Sequence, residues 1–467
     1  MNQIALAKLA SPETNRVMVE DRPVHDWYRF VLSYPPHLVR TYLEKFGVGQ
    51  NQTVLDPFCG TGTTLVETKK RGIASVGIEA NPMAFFATNV KLNWLPSPQA
   101  LQGEAEEIAR VVREEYEAIG IADGDVDSDE PSLFANGIRR RQTKEKATLR
   151  RFDAEQDRLI LTNSISSLPL HKTLVLHDAI VRMSSGRNRS HLRLALAKAV
   201  VFSISNLHFG PEVGVTKPKK DAPVLDSWLN AVTGITRDLR LVKKLPSAQS
   251  TVFRADARAV SELLQPKSID VVITSPPYPN EKDYTRTTRL ESVILGFLHD
   301  KASLRNLKRE MLRSNTRGVY RLDDDDKWVA DHPEVQRLAT AIEARRLELG
   351  KTSGFERLYH RVTKLYFGGM ARHFSELTSI LRPGARLAYV VGDQASYLRV
   401  MIRTGTILAD IAESLGYRVL NIDLFRTRLA TATKEQLREE VVLLEWPGAQ
   451  RNRGGSKATK KRDEKTN

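Results

Sequence analysis

The residues Thr274-Ser275-Pro276-Pro277-Tyr278-Pro279-Asn280 could hold and activate a planar amine. They follow the run 269–273, apolar except for Asp270, which predicts a buried strand. The adjacent prolines lack N–H donors and have a fixed φ, so the loop offers carbonyl acceptors in a set geometry. Ser275 adds a hydroxyl and Tyr278 a flat ring. These groups suit a ring that carries an exocyclic NH₂ group; the alternative is a proline-rich turn.

A second cluster, Asp56-Pro57-Phe58-Cys59-Gly60-Thr61-Gly62-Thr63-Thr64, lies between a short apolar run and a predicted helix. Open α/β sheets bind ligands at such strand-to-helix turns, and glycines let the ligand approach the backbone. Leu65 stands where a dinucleotide-binding turn would carry its third glycine, which argues against NAD or FAD. No lysine follows, which excludes a phosphate-binding loop. The alternative is a turn whose glycines serve packing.

The acids around this turn favour a cationic ligand that carries a ribose. Asp56 is expected to face the ligand, where a carboxylate suits an ammonium or amine better than a pyrophosphate. Glu79 ends the next predicted strand, where an acid can accept hydrogen bonds from ribose hydroxyls. S-adenosylmethionine has an ammonium, a sulfonium and a ribose, and it is therefore the predicted cofactor.

Together the two motifs resemble those of the amino-methylating DNA methyltransferases, over about 25–95, 250–298 and 380–446. The Ser-Pro-Pro-Tyr form is similar to the cytosine-N4 branch, because the adenine-N6 branch more often carries Asp or Asn in place of Ser275. The resemblance implies that Ser33 and Tyr34 close over the methionine end of the cofactor and that Asp256 meets its adenine amino group. Catalysis is assigned to Ser275, Pro276, Pro277 and Tyr278. The predicted cofactor-binding residues are Ser33, Tyr34, Asp56, Pro57, Phe58, Gly60, Gly62, Thr63, Thr64, Glu79, Ala80, Asn81, Asp256 and Ala257.

The reaction that this resemblance implies is methyl transfer to the N4 amine of a cytosine that has left the duplex. Hydrogen bonds from the amine to the Ser275 hydroxyl and the Pro276 carbonyl would favour a pyramidal nitrogen, whose lone pair could then point at the methyl carbon. Tyr278 would stack on the base and fix its plane. Cys59 is interpreted as a packing residue, because the motif offers no base beside it.

The elements that must position these residues predict an α/β fold. It is a Rossmann-like methyltransferase sheet, mostly parallel with an antiparallel C-terminal hairpin, and it carries two mainly helical insertions. Both insertions are candidates for target recognition, because the cofactor motif comes first here whereas many cytosine-N4 members carry the catalytic motif first. The predicted parts are the cofactor-binding half 23–96, the first insertion 97–248, the catalytic half 249–299, the second insertion 300–354, the C-terminal part of the sheet 355–448 and a disordered basic tail 449–467.

The charge of the chain favours a polyanionic partner. Lys plus Arg number 71 against 56 for Asp plus Glu, which gives a formal net charge of +15. Double-stranded DNA is the predicted partner, and a cognate restriction endonuclease is a further candidate. The candidate nucleic-acid-binding residues are Arg139, Arg140, Arg141, Arg187, Arg189, Arg286 and Arg289. For the last two, the alternative is a solvated helix face.

Composition narrows the class further. One cysteine excludes an internal disulfide framework and a Cys-based zinc site. The run Asp323–Asp326 is expected to be solvated, and no metal is predicted. The absence of a signal pattern and of a long apolar run predicts a cytoplasmic protein without a membrane span, and leaves monomer and dimer open. Phe367-Gly368-Gly369-Met370 predicts a helix kink, with a pocket wall as the alternative.

Two alternatives to DNA cytosine-N4 methylation stay open. The first keeps the chemistry but changes the target, to adenine N6 of DNA or to an amine in RNA. The second is a DNA-binding module with a catalytically dead methyltransferase fold. The completeness of both motifs argues against the second alternative.

Overall fold

A seven-stranded sheet forms the centre of the molecule. The structure is a computed structural model that describes residues 17–29, 33–123, 148–210, 212–280, 282–429 and 436–449. Its strands are β1 (Thr53–Asp56), β2 (Ala74–Ile78), β3 (Leu207–Phe209), β4 (Val213–Val215), β5 (Ser250–Phe253), β6 (Ile269–Thr274), β7 (Leu381–Gly392), β8 (Arg418–Leu429) and β9 (Gln436–Trp446). The sheet order is β5-β2-β1-β6-β7-β9-β8, and β3 pairs only with β4. Strand β9 is antiparallel to both neighbours, whereas all other adjacent pairs of the large sheet are parallel.

The predicted mixed α/β fold with a C-terminal antiparallel hairpin is confirmed. The helices are α1 (Pro36–Lys45), α2 (Thr63–Lys70), α3 (Pro82–Leu92), α4 (Pro98–Ala118), α5 (Ser167–Met183), α6 (Arg189–Ala199), α7 (Val224–Val242), α8 (Arg289–Ile294), α9 (Lys301–Glu310), α10 (Pro333–Glu348), α11 (Tyr359–Ile380) and α12 (Thr404–Ser414). Within the described ranges, no helix has both the length and the apolar character needed to cross a membrane.

Helices cover both faces of the sheet, because successive side chains of a strand point to opposite sides. Val271 and Ile273 of β6 pack in one hydrophobic cluster with Leu38 of α1. Val272, which lies between them, packs in a second cluster with Phe374 of α11. The apolar run that predicted a buried strand thus supplies the cores of both layers.

The first insertion shares its core with the sheet domain. Leu101 of α4, Leu176 of α5 and Trp228 of α7 belong to the same hydrophobic cluster as Ala87 of α3. The insertion also contains the β3–β4 hairpin, which the sequence analysis missed because each strand has only three residues. The boundaries 97–248 remain a prediction.

The glycine pair of α11 serves close packing instead of a helix kink. Helix α11 runs from Tyr359 to Ile380 as one element. A Cβ atom on Gly368 would lie 1.9 Å from the backbone oxygen of Asp325, and one on Gly369 would lie 2.4 Å from Leu312 Cδ1. The second insertion can therefore approach this helix only because both positions lack a side chain.

The acidic run in the second insertion is solvated only in part, whereas it was predicted to be solvated: Asp324 is exposed, but two of its neighbours are not. Asp323 accepts hydrogen bonds from Arg313 at 2.9 and 2.8 Å. Asp325 is buried and pairs with Arg258. Arginine partners thus neutralise the buried acids, and the described part of the chain holds no group of side chains suited to a metal ion.

Strands β1 and β6 place the two motifs side by side. They are parallel neighbours, with Val54 opposite Val271 and Leu55 opposite Val272. From β1 the chain continues to β2 on one side, and from β6 it continues to β7 on the other. Connections that leave in opposite directions open a crevice at the carboxyl ends of the strands, where α/β sheets bind ligands.

Candidate active site

A cavity of about 570 Å³ opens at the carboxyl ends of β1 and β6 and is lined by both motifs. Gly60 of the glycine turn and Tyr278 of the proline loop both line this cavity. Three predicted residues, Asp56, Gly62 and Thr64, are not on its wall. The predicted residues that line it are Ser33, Tyr34, Pro57, Phe58, Gly60, Thr63, Glu79, Ala80, Asn81, Asp256, Ala257, Ser275, Pro276, Pro277 and Tyr278.

Asp56 joins the two motifs instead of facing the ligand, contrary to the prediction. It is fully buried, and its Oδ1 accepts a hydrogen bond from Thr274 Oγ1 at 2.6 Å. Its Oδ2 accepts a bond from Tyr34 Oη at 3.0 Å, and the Phe58 N–H donates to Oδ1 at 3.2 Å. Burial raises the pKa of Asp56 to about 6, although these donors act to lower it. The carboxyl group therefore fixes the end of β1 to the end of β6.

Glu79 and Gly60 form the part of the wall suited to a ribose. The Gly60 N–H donates to Glu79 Oε2 at 2.8 Å, and the Asn81 N–H donates to Oε1 at 2.7 Å. Each carboxylate oxygen has a further lone pair, so Glu79 can still accept from hydroxyls in the cavity. Burial raises the pKa of Glu79 to about 7, with the two N–H donors opposing the rise.

Gly62 and Thr64 shape the glycine turn from behind. Gly62 has a φ of 83° at the start of α2, and a Cβ atom there would lie 2.7 Å from Thr88 Cγ2. The hydroxyl of Thr88 also donates to the Gly60 carbonyl at 2.8 Å. Thr64 is buried and donates to the Ile273 carbonyl at 3.1 Å. Gly62 thus lets the turn pack against Thr88, and Thr64 ties the start of α2 to β6.

The segment with Ser33 and Tyr34 lies over the glycine turn. Ser33 Oγ is 3.4 Å from Thr61 Oγ1, and Tyr34 Oη bonds to Asp56 and to Thr64 Oγ1. This segment belongs to a distant part of the chain but closes one side of the cavity. Its role as a cover over a bound cofactor stays a prediction.

Asp256 lines the cavity but is already paired within the protein. Arg258 donates to it from Nε at 3.0 Å and from Nη2 at 2.6 Å. The adjoining wall contains Phe58, whose ring packs edge-on against His373 with centroids 4.9 Å apart. His373 Nδ1 lies 2.8 Å from the Ala257 carbonyl oxygen, and burial lowers the pKa of His373 to about 4. This neutral histidine was not predicted, because it lies on α11 and its partner Ala257 is 116 residues away in the sequence.

Ser275 is held with its lone pairs available. Its hydroxyl donates to the Val390 carbonyl of β7 at 3.1 Å. A carbonyl can only accept, so this bond uses the proton of Ser275 and leaves its oxygen as an acceptor. Pro276 beside it adds a carbonyl oxygen at a position where the ring has removed the N–H.

Tyr278 packs on a glycine of the neighbouring strand. A Cβ atom on Gly392 would lie 3.1 Å from Tyr278 Cε2, so a side chain there would crowd the ring. The Tyr278 N–H donates to Tyr284 Oη at 3.3 Å, and the Asn280 N–H donates to the Ser314 carbonyl at 2.9 Å. The loop is therefore supported by β7 on one side and by the second insertion on the other.

Cys59 behaves as a packing residue. Burial raises the pKa of its thiol well above the usual value, which disfavours a nucleophilic thiolate. A Cβ atom on Gly77 would lie 3.0 Å from its Sγ atom. The sulfur thus fills the space between the turn and β2.

The predicted DNA-binding arginines divide into four groups. Arg289 and Arg189 are tied into the protein, by Thr285 at 2.6 Å and by the Ser184 carbonyl at 2.9 Å, so neither presents a free guanidinium. Arg187 is exposed. Arg286 lies near the cavity, with a long ion pair of 3.8 Å to Glu212 and a buried Nε without a hydrogen-bond partner among the described residues. Arg139, Arg140 and Arg141 lie outside the described residues.

Part of the remaining wall of the cavity comes from the C-terminal hairpin and was not predicted. Arg426 and Arg428 of β8 and Glu439 of β9 line it, together with Lys282 and Gln394. The available signal was the spacing of Arg426 and Arg428, since alternate residues of a strand share one face. The sequence analysis treated these strands as an edge of the fold and assigned them no role.

Comparisons with known proteins agree with this geometry. A family model described as DNA methylase matches residues 22–88. The Type II methyltransferase M.BsoBI of Geobacillus stearothermophilus is 26% identical over 477 aligned residues, which cover 94% of this chain and 88% of the relative. The Type II methyltransferase M.AvaI of Nostoc sp. is 29% identical over 175 residues, 37% of this chain and 35% of that protein. The Type II methyltransferase M.MjaII of Methanocaldococcus jannaschii is 39% identical over 70 residues, 15% of this chain and 13% of that protein.

These matches support a methyltransferase that uses S-adenosylmethionine. The family model and the Type II relatives make the chain similar to the amino-methylating DNA methyltransferases, over residues 22–88 and, with M.BsoBI, over most of its length. The family and the cofactor predicted from the sequence are thereby confirmed. This similarity fits acceptors at adenine N6 and at cytosine N4 alike.

Proposed function

We propose that this protein methylates the N4 amine of cytosine at specific sites in double-stranded DNA. The proposal is carried by Ser275, whose proton is engaged by the Val390 carbonyl while its oxygen faces a cavity shared with Gly60. Serine at this position, where the adenine-N6 branch more often has Asp or Asn, supports cytosine as the base.

The cavity wall fits S-adenosylmethionine. A Cβ atom on Gly60 would meet no protein atom within 4 Å, so the space above this residue is open to a ligand. Glu79 would hold the ribose hydroxyls, Asp256 the adenine amino group, and Ser33 with Tyr34 the methionine end. When bound there, S-adenosylmethionine supplies an electrophilic methyl group.

The proline loop would activate the amine by holding its two N–H groups. The amine of cytosine is a weak nucleophile, because its lone pair is delocalised into the ring. If it donates to Ser275 Oγ and to the Pro276 carbonyl, the nitrogen is drawn toward a pyramidal shape and its lone pair is freed. The nitrogen then bonds to the methyl carbon, the carbon–sulfur bond breaks, and the amine loses one proton to water. Positioning of this kind can contribute roughly 7–11 kcal/mol.

Basic side chains around the mouth support DNA as the substrate. Lys282 and Arg428 line the cavity, and Arg286 lies beside a smaller cleft that also contains Lys282. Burial lowers the pKa of Lys282. Cations in this arrangement could hold the phosphates on either side of an extruded nucleotide. The same cleft is bordered by Phe209 and Val213 of the β3–β4 hairpin, which makes the first insertion the proposed reader of the target sequence.

A product assay tests the proposal directly. The purified protein is incubated with methyl-labelled S-adenosylmethionine and double-stranded DNA, and the digested nucleosides are identified by mass. N4-methyldeoxycytidine is the expected product. N6-methyldeoxyadenosine as the sole product would overturn the assignment of the base, and absence of transfer would favour a dead module.

The proposal extends to restriction–modification, because the curated relatives are Type II methyltransferases. A protein with this role modifies every copy of one short sequence and thereby blocks a matching endonuclease. Methylome sequencing of a host that expresses the chain should show one fully modified motif. Scattered, partial methylation without a motif would contradict this extension.

A further inference from the structure

We infer that Arg426, oriented by Glu439, recognises the extruded cytosine by donating hydrogen bonds to its O2 and N3 atoms. This inference rests on the proposed function and deepens it, because it names the residue that would select the base. Neither residue belongs to the two motifs. Both line the cavity that contains Ser275 and Tyr278.

The two residues lie in a row that runs across the sheet to the catalytic loop. Gly392 of β7 is opposite Glu439 of β9, and Glu439 is opposite Arg426 of β8. A Cβ atom on Gly392 would lie 3.1 Å from Tyr278 Cε2 and 3.3 Å from Glu439 Cγ. The ring that would stack on the base and the carboxylate that holds Arg426 therefore meet above one glycine.

The guanidinium is fixed with one edge unused by its partner. Arg426 Nε donates to Glu439 Oε2 at 2.6 Å, and Nη2 donates to Oε1 at 2.8 Å. A guanidinium that is bound from the side in this way keeps N–H groups on its outer edge. Those N–H groups form a fork that suits two neighbouring acceptors.

Cytosine offers this pair of acceptors and adenine does not. Beside its N4 amine, cytosine carries the N3 acceptor and then the O2 acceptor. Beside its N6 amine, adenine carries the N1 acceptor and then a C–H group. A pair of N–H donors near Ser275 could therefore make two hydrogen bonds to cytosine, at N3 and O2, but only one to adenine, at N1.

Arg426 suits a base edge better than a phosphate. Glu439 neutralises its charge, and its side chain is only 23% exposed. Arg428, two residues along the same strand, is 44% exposed and lies 3.6 Å from Glu439, so it retains more of its charge for the DNA backbone. A guanidinium that is largely covered and neutralised fixes the direction of its hydrogen bonds, whereas an exposed one attracts phosphates over a longer distance.

The same hairpin provides a matched control. Arg418 pairs with Glu445 across the same two strands, at the opposite end of the hairpin. Its substitution removes an arginine–glutamate pair of the same type without touching the cavity. A purely structural role for Arg426 predicts similar behaviour of both pairs.

The experiment compares Arg426→Gln, Arg426→Lys and Arg418→Gln with the wild type on duplexes that carry the mapped site. A second set of duplexes has 2-thiocytosine as the target base, since sulfur is a weak acceptor. Arg426→Gln should lower kcat/KM on cytosine about 10-fold to 100-fold, and Arg426→Lys should recover little because it lacks the fork. Arg418→Gln should match the wild type. The Kd for S-adenosylmethionine should be the same in all four proteins.

The duplexes with 2-thiocytosine test the inference with the wild-type enzyme alone, so this comparison does not require that a variant folds. Wild-type enzyme should lose about 10-fold in kcat/KM on 2-thiocytosine, while Arg426→Gln should lose nothing further. Equal rates of the wild type on both bases, or equal losses in Arg426→Gln and Arg418→Gln, would overturn the inference and leave cytosine-N4 methylation standing. A loss in Arg426→Gln that disappears at low salt would assign Arg426 to a phosphate instead. A wild type that makes only N6-methyldeoxyadenosine would remove the proposed function itself.

Discussion

The Ser275 hydroxyl donates its proton to the Val390 carbonyl, so its oxygen can act only as an acceptor for the amine. Removing this oxygen tests that role. Ser275→Ala should lower kcat by about 100-fold or more, because the amine loses one positioned acceptor. The Kd for S-adenosylmethionine should stay unchanged, since Ser275 lies on the opposite motif from Glu79. Steady-state assays of methyl transfer would measure kcat, and equilibrium dialysis would measure the Kd for S-adenosylmethionine.

Ser268→Ala is the control for this variant. Ser268 immediately precedes β6 at the end away from the cavity, and its hydroxyl donates to the Gln265 carbonyl at 2.7 Å. It should keep wild-type turnover. Loss of cofactor binding in Ser275→Ala would contradict the role given to the serine.

Glu291 is a buried acid that the proposed chemistry does not use, and it predicts a pH dependence of stability. It lies on α8, accepts a hydrogen bond from Tyr28, and its Oε2 has no partner within the described ranges. Burial raises the pKa of Glu291 to about 7, although the bond from Tyr28 opposes the rise. A folded-state pKa above the unfolded value of about 4.3 means that the contribution to stability is complete below about pH 4 and lost as the pH rises through 7.

The free energy of unfolding should therefore fall by about 1 kcal/mol between about pH 6 and pH 8 on account of this group. Urea titrations of the wild type and Glu291→Gln would measure it. Asp56 and Glu79 produce slopes of the same sign, so the difference between the two proteins isolates Glu291. Identical slopes would show that Glu291 ionises normally in the folded protein.

At the scale of elements, the packing of the second insertion on α11 depends on an absent side chain. Gly368→Ala would place a Cβ atom 1.9 Å from the Asp325 carbonyl, which belongs to the backbone and cannot rotate away. We expect a loss of about 3 kcal/mol or more in the free energy of unfolding. Gly103→Ala, on an exposed turn of α4 with no atom within 4 Å, should instead stabilise by up to about 1 kcal/mol. Chemical denaturation would compare them, and equal stabilities would disprove the close contact.

The elements also show what the sequence could predict. Strand β6, the glycine turn and α1 follow from local patterns, since apolar runs, prolines and glycines act within a few residues. The direction of Asp56 does not, because its partner Thr274 lies 218 residues away. Strand β7 begins at Leu381, before Pro383 and Gly384, because Leu381 pairs with Ile269. Arg426 and Glu439 were missed for the same reason as Thr274: register across the sheet decides which side chains meet.

At the scale of the whole molecule, the net charge of +15 predicts binding to DNA that weakens with salt. Arg286→Gln should reduce the slope of log Kd against log salt by about 1, because one phosphate contact is lost. The methylated base should stay the same. Fluorescence anisotropy at several salt concentrations would measure the slope.

Arg110→Gln is the control, since the charge of Arg110 is already matched by Glu107 and Glu114 at 2.7 Å each. Its slope should equal that of the wild type. An unchanged slope in Arg286→Gln would place the DNA away from the β3–β4 hairpin.

The hydrogen bond between Thr274 and Asp56 joins the two motifs in space, so the geometry of the site does not depend on which motif comes first in the sequence. Neighbouring strands bring donor and acceptor together through space, so a gene could transpose its two segments and still encode the same reactive geometry. Lineages in which the segments are swapped are then not evidence of separate invention. The first insertion, which lies between the two halves, can then change in sequence, so that new target sequences can evolve while the cavity stays the same.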